Sequence, residues 1–114
     1  MAKIIVWYDG ACPLCIREIA LMRRLDTRQA IDFLDIAPAD AVCPLDRQMM
    51  LARFHASEDG VILSGAAAFA AMWRAIPLLK PLGLIARNRL VLQLLERLYN
   101  RFLIVRPRLQ KLLD

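Results

Sequence analysis

Cys12 and Cys15, separated by Pro13 and Leu14, are the residues of this chain whose type and spacing suit chemistry best. They follow an apolar run that ends in Tyr8-Asp9-Gly10, and they head an amphipathic stretch. Two intervening residues bring the second sulfur round one helical turn, within bonding distance of the first, so the pair can pass between dithiol and disulfide. A helix N-terminus gathers unpaired N–H groups and the positive end of the helix dipole, and a cysteine there is stabilised as the attacking thiolate. That places Cys12 as the nucleophile and Cys15 as the thiol that resolves a mixed disulfide. Pro13 suits the first helical position, where its missing N–H is no loss. Asp9-Gly10 reads as the turn between strand and helix.

Other chemistry is open to the same residues. The cysteines could be small buried hydrophobes, or half of a zinc site completed by Cys43 and His55, although that spacing matches no zinc-finger pattern. A position between strand and helix inside a βαβ pattern favours redox work. Asp9 can be a turn former or a carboxylate relaying protons to the resolving thiol. The turn is favoured, because a carboxylate near Cys12 would raise that thiol's pKa. Cys43, before Pro44, reads as an incidental thiol, and His55 as a residue on the exposed side of a hairpin strand.

The positioning elements follow from periodicity. Lys3–Tyr8 is an apolar run of the kind covered on both faces. Pro13–Arg28 is helical, with Ile16, Ile19, Met22 and Leu25 apolar and Arg17, Arg24 and Arg28 on a solvated stripe. Ile31–Ile36 is a second strand, parallel to the first. Ala37–Asp46 is loop, Leu45–Ala52 a short helix, and Arg53–Ser57 pairs with Val61–Leu63 across an Asp59-Gly60 hairpin turn. A helix covers Gly65 to Ile76, and Pro77, Pro81 and Gly83 then break it. Leu90–Val105 forms a last helix with Val91, Leu94, Leu95, Leu98, Phe102 and Val105 on its apolar face. Arg89, Gln93, Glu96, Arg97, Asn100 and Arg101 lie opposite.

The stretch Tyr8-Asp9-Gly10-Ala11-Cys12-Pro13-Leu14-Cys15, with Arg17, Glu18, Leu21 and Leu25 in the helix behind it, resembles the signature of the DCC family of predicted thiol-disulfide oxidoreductases. That family is also classed as a domain of unknown function. The resemblance extends more loosely through Phe33-Leu34-Asp35-Ile36, Asp59-Gly60, Gly65 with Ala68-Phe69, and Trp73. It implies a thioredoxin-like fold and a redox-active pair, and names no substrate. Thioredoxin-like enzymes commonly place a cis-proline before the third strand to receive an extended substrate. Here the corresponding segment, Met49 to Phe54, has no proline, and Pro44 lies too early.

With 114 residues and 59% hydrophobic content, the chain is expected to be a single domain, a core over residues 1–76 with an extension over 77–114. The longest uncharged stretch in its middle, Gly60–Trp73, is 14 residues, short of the roughly 20 a membrane-crossing helix needs. The N-terminus lacks the pattern of a secretory signal, so a cytoplasmic location is expected. Three cysteines there make a poor disulfide framework. Residues 1–73 hold seven basic and nine acidic side chains, residues 74–114 nine basic and two acidic. The basic segment carries no nucleic-acid motif and lacks interleaved aromatics, leaving contact with an acidic partner or an anionic membrane surface.

The combined expectation is an α/β, thioredoxin-like fold with a central mixed four-stranded sheet flanked by helices and an extra C-terminal helical segment. It would act as a thiol-disulfide oxidoreductase with Cys12 and Cys15 catalytic, Asp9, Gly10 and Pro13 supporting them, and no bound cofactor or metal. Its partners would be a disulfide or thiol substrate, protein or small molecule, and a cellular thiol reductant. A thioredoxin-like adaptor without catalysis and a zinc-binding protein are the rival classes.

Overall fold

A computed structural model describes residues 4–38, 40–41 and 43–113; Lys3, where the first apolar run begins, lies outside them. In chain order the elements are β1 (Ile4–Tyr8), α1 (Pro13–Leu25), β2 (Ile31–Asp35), α2 (Arg47–Ala52), β3 (His55–Glu58), β4 (Val61–Ser64), α3 (Ala66–Ala75), α4 (Lys80–Ile85) and α5 (Arg89–Leu113). The sheet order is β2-β1-β3-β4. β1 runs parallel to β2 and antiparallel to β3, which forms a hairpin with β4. This is the mixed four-stranded, helix-flanked α/β sheet expected, and it is consistent with a thioredoxin-like fold.

β1 is apolar on both sides because both sides are covered. Ile4 and Val6 pack with Ile19 and Met22 of α1 and with Ala68, Met72 and Ile76 from α3 and its end. Trp7, on the other side, packs with Ile36 and with Met50 of α2. The hairpin turns on Asp59 (φ 53°) and Gly60 (φ 85°), both left-handed, the conformation that matches the twist of the paired strands.

α1 stops at Leu25, short of Arg28. The buried Asp26 accepts hydrogen bonds from the Ala30 and Ile31 N–H groups at 3.0 and 3.1 Å, which ends the helix and ties its exit to the start of β2. Pro77, Pro81 and Gly83 do not leave an irregular break. Pro81 sits in the first turn of α4, where a proline is tolerated, and Arg74 holds that short helix by donating to the Gly83 carbonyl at 3.0 Å. Arg74 also makes a two-pronged ion pair with Glu58, whose carboxyl is held below its ordinary range by those hydrogen bonds.

The last helix is longer than its apolar pattern suggests and faces a different way. It continues through Pro107 to Leu113. Leu94, Leu98 and Val105, expected in contact with the core, are 58%, 54% and 43% exposed, whereas Glu96 and Tyr99 turn inward. The facing is decided by polar anchors. Arg53 makes an ion pair with Glu96, donates to Asn100 Oδ1 at 3.1 Å and lies over the Tyr99 ring. The Tyr99 hydroxyl accepts the Phe54 N–H at 2.7 Å. Leaving those groups buried and unpaired would cost more than exposing a few leucines. Among the described residues no helix is long and apolar enough to cross a membrane.

Candidate functional site

The turn that carries the cysteines is built by carboxylates. Asp9 Oδ1 accepts the Ala11 N–H and the Asp9 carbonyl accepts the Cys12 N–H, so Asp9 forms the turn at the end of β1. Asp35, at the end of the neighbouring parallel strand, accepts the N–H groups of Gly10 and Ala37, both at 2.9 Å. A side chain at position 10 would collide with that carboxylate, its Cβ lying 2.0 Å from Asp35 Oδ2. Gly10 is therefore a condition for pinning the turn to β2.

Cys12 is the N-cap of α1, in extended conformation and 4% exposed, with Pro13 beginning the helix. Its Sγ accepts the Cys15 N–H at 3.3 Å, satisfying one of the free donors of the first turn. No disulfide joins any of the three cysteines in this structure. Cys15 is half-buried and lines a cleft with Glu18 on one side and Tyr99, Phe102 and Arg106 of α5 on the other. Arg106 donates to Cys15 Sγ at 3.2 Å, and its guanidinium is also within hydrogen-bonding range of Cys12.

These contacts separate the two thiols. Burial alone would push Cys12 up, but hydrogen bonds from the Cys15 thiol, the Cys15 N–H and Arg106, with the Arg106 charge, outweigh it and leave Cys12 below its ordinary value. Cys15 is pushed up to about 12, first by burial and then by donating its proton toward Cys12, with the charges of Cys12 and Asp9 adding to the rise against Arg106. The pair thus contains one thiol disposed to ionise and one disposed to keep its proton. Glu18, one turn beyond Cys15, is raised to about 7 by burial, with Arg106 opposing.

The sequence-derived residues are not all gathered here. Asp9, Gly10 and Pro13 stand around Cys12 as described. His55 is not exposed: it is 4% exposed on β3, an interior strand covered on both faces, and its Nδ1 lies 2.9 Å from the Arg53 carbonyl. Cys43 packs against the Trp7, Ile36 and Met50 cluster with its thiol toward the Ala41 carbonyl, and it does not line the cleft. Among the described residues no group of three or more His, Cys, Asp or Glu side chains comes together as a metal site would require. Where a cis-proline would stand before β3, Arg53 and Phe54 occur instead, and the Phe54 N–H is already bonded to Tyr99. From sequence, Glu18 stands only in the motif behind the cysteines and Arg106 only in the basic C-terminal segment, neither with a role at the thiols. Glu18 carries a signal, its helical spacing from Cys15; Arg106, 91 residues from Cys15, carries none.

A family model described as DCC1-like thiol-disulfide oxidoreductase matches residues 6–112. The chain belongs to that family. The DCC1-like match covers the cysteine turn, the sheet from Val6 onward and all but the end of α5, and it supports a redox role in general terms. An uncharacterized chloroplastic protein of Arabidopsis thaliana is 35% identical over 82 residues, 67% of this chain. The chain spans 38% of the length of that relative. No solved structure matches the chain.

Proposed function

We propose that Cys12 and Cys15 form the redox-active dithiol of a thiol-disulfide oxidoreductase acting on a protein or small-molecule disulfide. The carrying observation is the buried Cys12 sulfur at the cap of α1, which receives the Cys15 N–H and faces the Arg106 guanidinium. The Cys12 thiolate attacks one substrate sulfur, forms a mixed disulfide and expels the other sulfur as a thiolate, which takes a proton from solvent. Cys15 must then lose its proton. Glu18, one turn on in the same cleft and near neutrality in its own titration, is placed to accept it directly or through water. The Cys15 thiolate attacks Cys12 Sγ, and the second substrate thiolate leaves and is protonated by Glu18. The substrate disulfide has gained two electrons and two protons, and the protein holds an internal disulfide. A cellular thiol reductant restores the dithiol, in a reducing compartment such as the cytoplasm.

Incubation of the Cys15→Ser chain with a model protein disulfide tests this reading. A covalent adduct through Cys12 that accumulates in Cys15→Ser and is absent from Cys12→Ser supports it. Equal behaviour of the wild-type chain and both variants contradicts it and favours an adaptor that keeps the scaffold without the chemistry. Zinc bound in proportion to the protein favours the metal-binding class.

A further inference from the structure

The helix α5 presents two apolar faces. One, through Leu95, Tyr99, Phe102 and Arg106, docks on the body of the protein. The other, a ridge, carries Leu90, Leu94, Leu98, Val105 and Leu112, one or two turns apart and between 43% and 81% exposed. Leu82 and Ile85 of α4 are likewise exposed, at 52% and 56%. Arg97 lies along one edge of that ridge, and Arg101 and Arg108 stand within it, among Leu98, Val105 and Leu112; all three arginines are exposed. From Arg74 to Leu113 the sequence has nine basic residues and one carboxylate, Glu96, which is taken up by Arg53.

An exposed apolar ridge along a helix of 25 residues, about 38 Å long, is more than a solvated surface requires. We infer that this face of α5 lies on an anionic lipid surface, with the leucine ridge entering the headgroup boundary and the arginines among and beside it meeting lipid phosphates. Charge decides against the simplest rival. A second copy packed on the ridge would bring two sets of these arginines together, whereas an anionic bilayer neutralises them. Shape decides against a peptide. The ridge is convex, its leucines project outward, and a deformable lipid boundary accommodates such a profile where a peptide seeks a groove. None of the ridge residues lines the cleft at Cys15.

Flotation of the full chain with vesicles of phosphatidylcholine alone, and with roughly a third phosphatidylglycerol, at low and high salt, tests the inference. It predicts binding at least about tenfold stronger to the anionic vesicles, weakened by salt. Leu90→Glu with Leu94→Glu, at positions exposed enough for the fold to persist by circular dichroism, should abolish flotation, and Arg97→Glu with Arg101→Glu should weaken it about tenfold or more. Absence of binding to anionic vesicles, or flotation equal in all variants, overturns it. Concentration-dependent dimers that the Leu90→Glu and Leu94→Glu changes dissolve, without vesicle binding, overturn it in favour of self-association.

Discussion

The two ends of the chain bring different things to one cleft. Residues 9–18 supply the sulfur atoms, the helix start and a carboxyl group; residues 96–106 supply the charge and the roof. The N-terminal part is local. Its turn, cap and helix are specified within a few residues of the cysteines, with Asp35 as the outside tether. The C-terminal part acts at long range and owes its position to Arg53 and Tyr99. The difference is a division of labour: the motif supplies the sulfur atoms and the larger hydrogen bonds that lower Cys12, and a remote helix adds a cation beside them.

Removing the sulfur breaks the comparison most severely. Cys12→Ser should abolish disulfide reduction altogether, while Cys43→Ser, on the far side of the sheet, should leave turnover unchanged; an insulin-type reduction assay distinguishes the two. Next in size is Glu18→Gln, expected to slow decay of the mixed disulfide by about 10²-fold while leaving alkylation of Cys12 nearly as fast as before. A conservative Glu18→Asp should recover part of that rate. Since Glu18 holds its proton to about pH 7 in the folded chain against 4.5 as its ordinary value, its contribution to stability is fully present below pH 4.5 and lost as pH rises through 7. The unfolding free energy of the wild-type chain, read from denaturant titrations, should therefore fall over that window by about 1–3 kcal/mol, and that of Glu18→Gln should not.

Smaller effects should follow from loosening the remote helix. Arg106→Gln removes a donor and a charge from the thiols, so the pH midpoint of Cys12 alkylation should move up by about one unit, with roughly tenfold slower alkylation at neutral pH. The reduced form loses that stabilisation, so at alkaline pH, where wild-type Cys12 is ionised, the reduction potential should become more negative by roughly 30 mV. Unchanged values would show that the cap of α1 alone activates Cys12. Tyr99→Phe leaves the Phe54 N–H without its partner and should cost about 1 kcal/mol in chemical denaturation, with weaker docking of α5 and little change in Cys12 reactivity if Arg106 keeps its place.

Legibility in the sequence tracks the same division. The unbroken run Ile4–Tyr8, the Asp59-Gly60 turn and the helical spacing after Pro13 each carry their own signal within one element, and the sheet and cysteine turn follow from them. The end of α1 does not, because it depends on Asp26 choosing the N–H groups of Ala30 and Ile31 over further helix. His55 reads as exposed on a strand whose alternation is mild, and only the covering of β3 by β1, β4 and the helices buries it. The facing of α5 is the clearest case. Its leucines define a face by periodicity, but Glu96, Tyr99, Asn100 and Arg106 are held by partners far away in sequence and rotate those leucines outward. Periodicity reports how much apolar surface a helix has, and specific polar partners decide which side is covered.

The most direct test of the central claim is an equilibrium titration of the purified chain through glutathione redox buffers, quenched by alkylation and read by mass, with zinc determined on the same sample. The account predicts one reversible two-electron transition confined to Cys12 and Cys15, with Cys43 alkylated throughout and no stoichiometric zinc. A pair that stays reduced across the series, or that holds zinc in proportion to the protein, would contradict it.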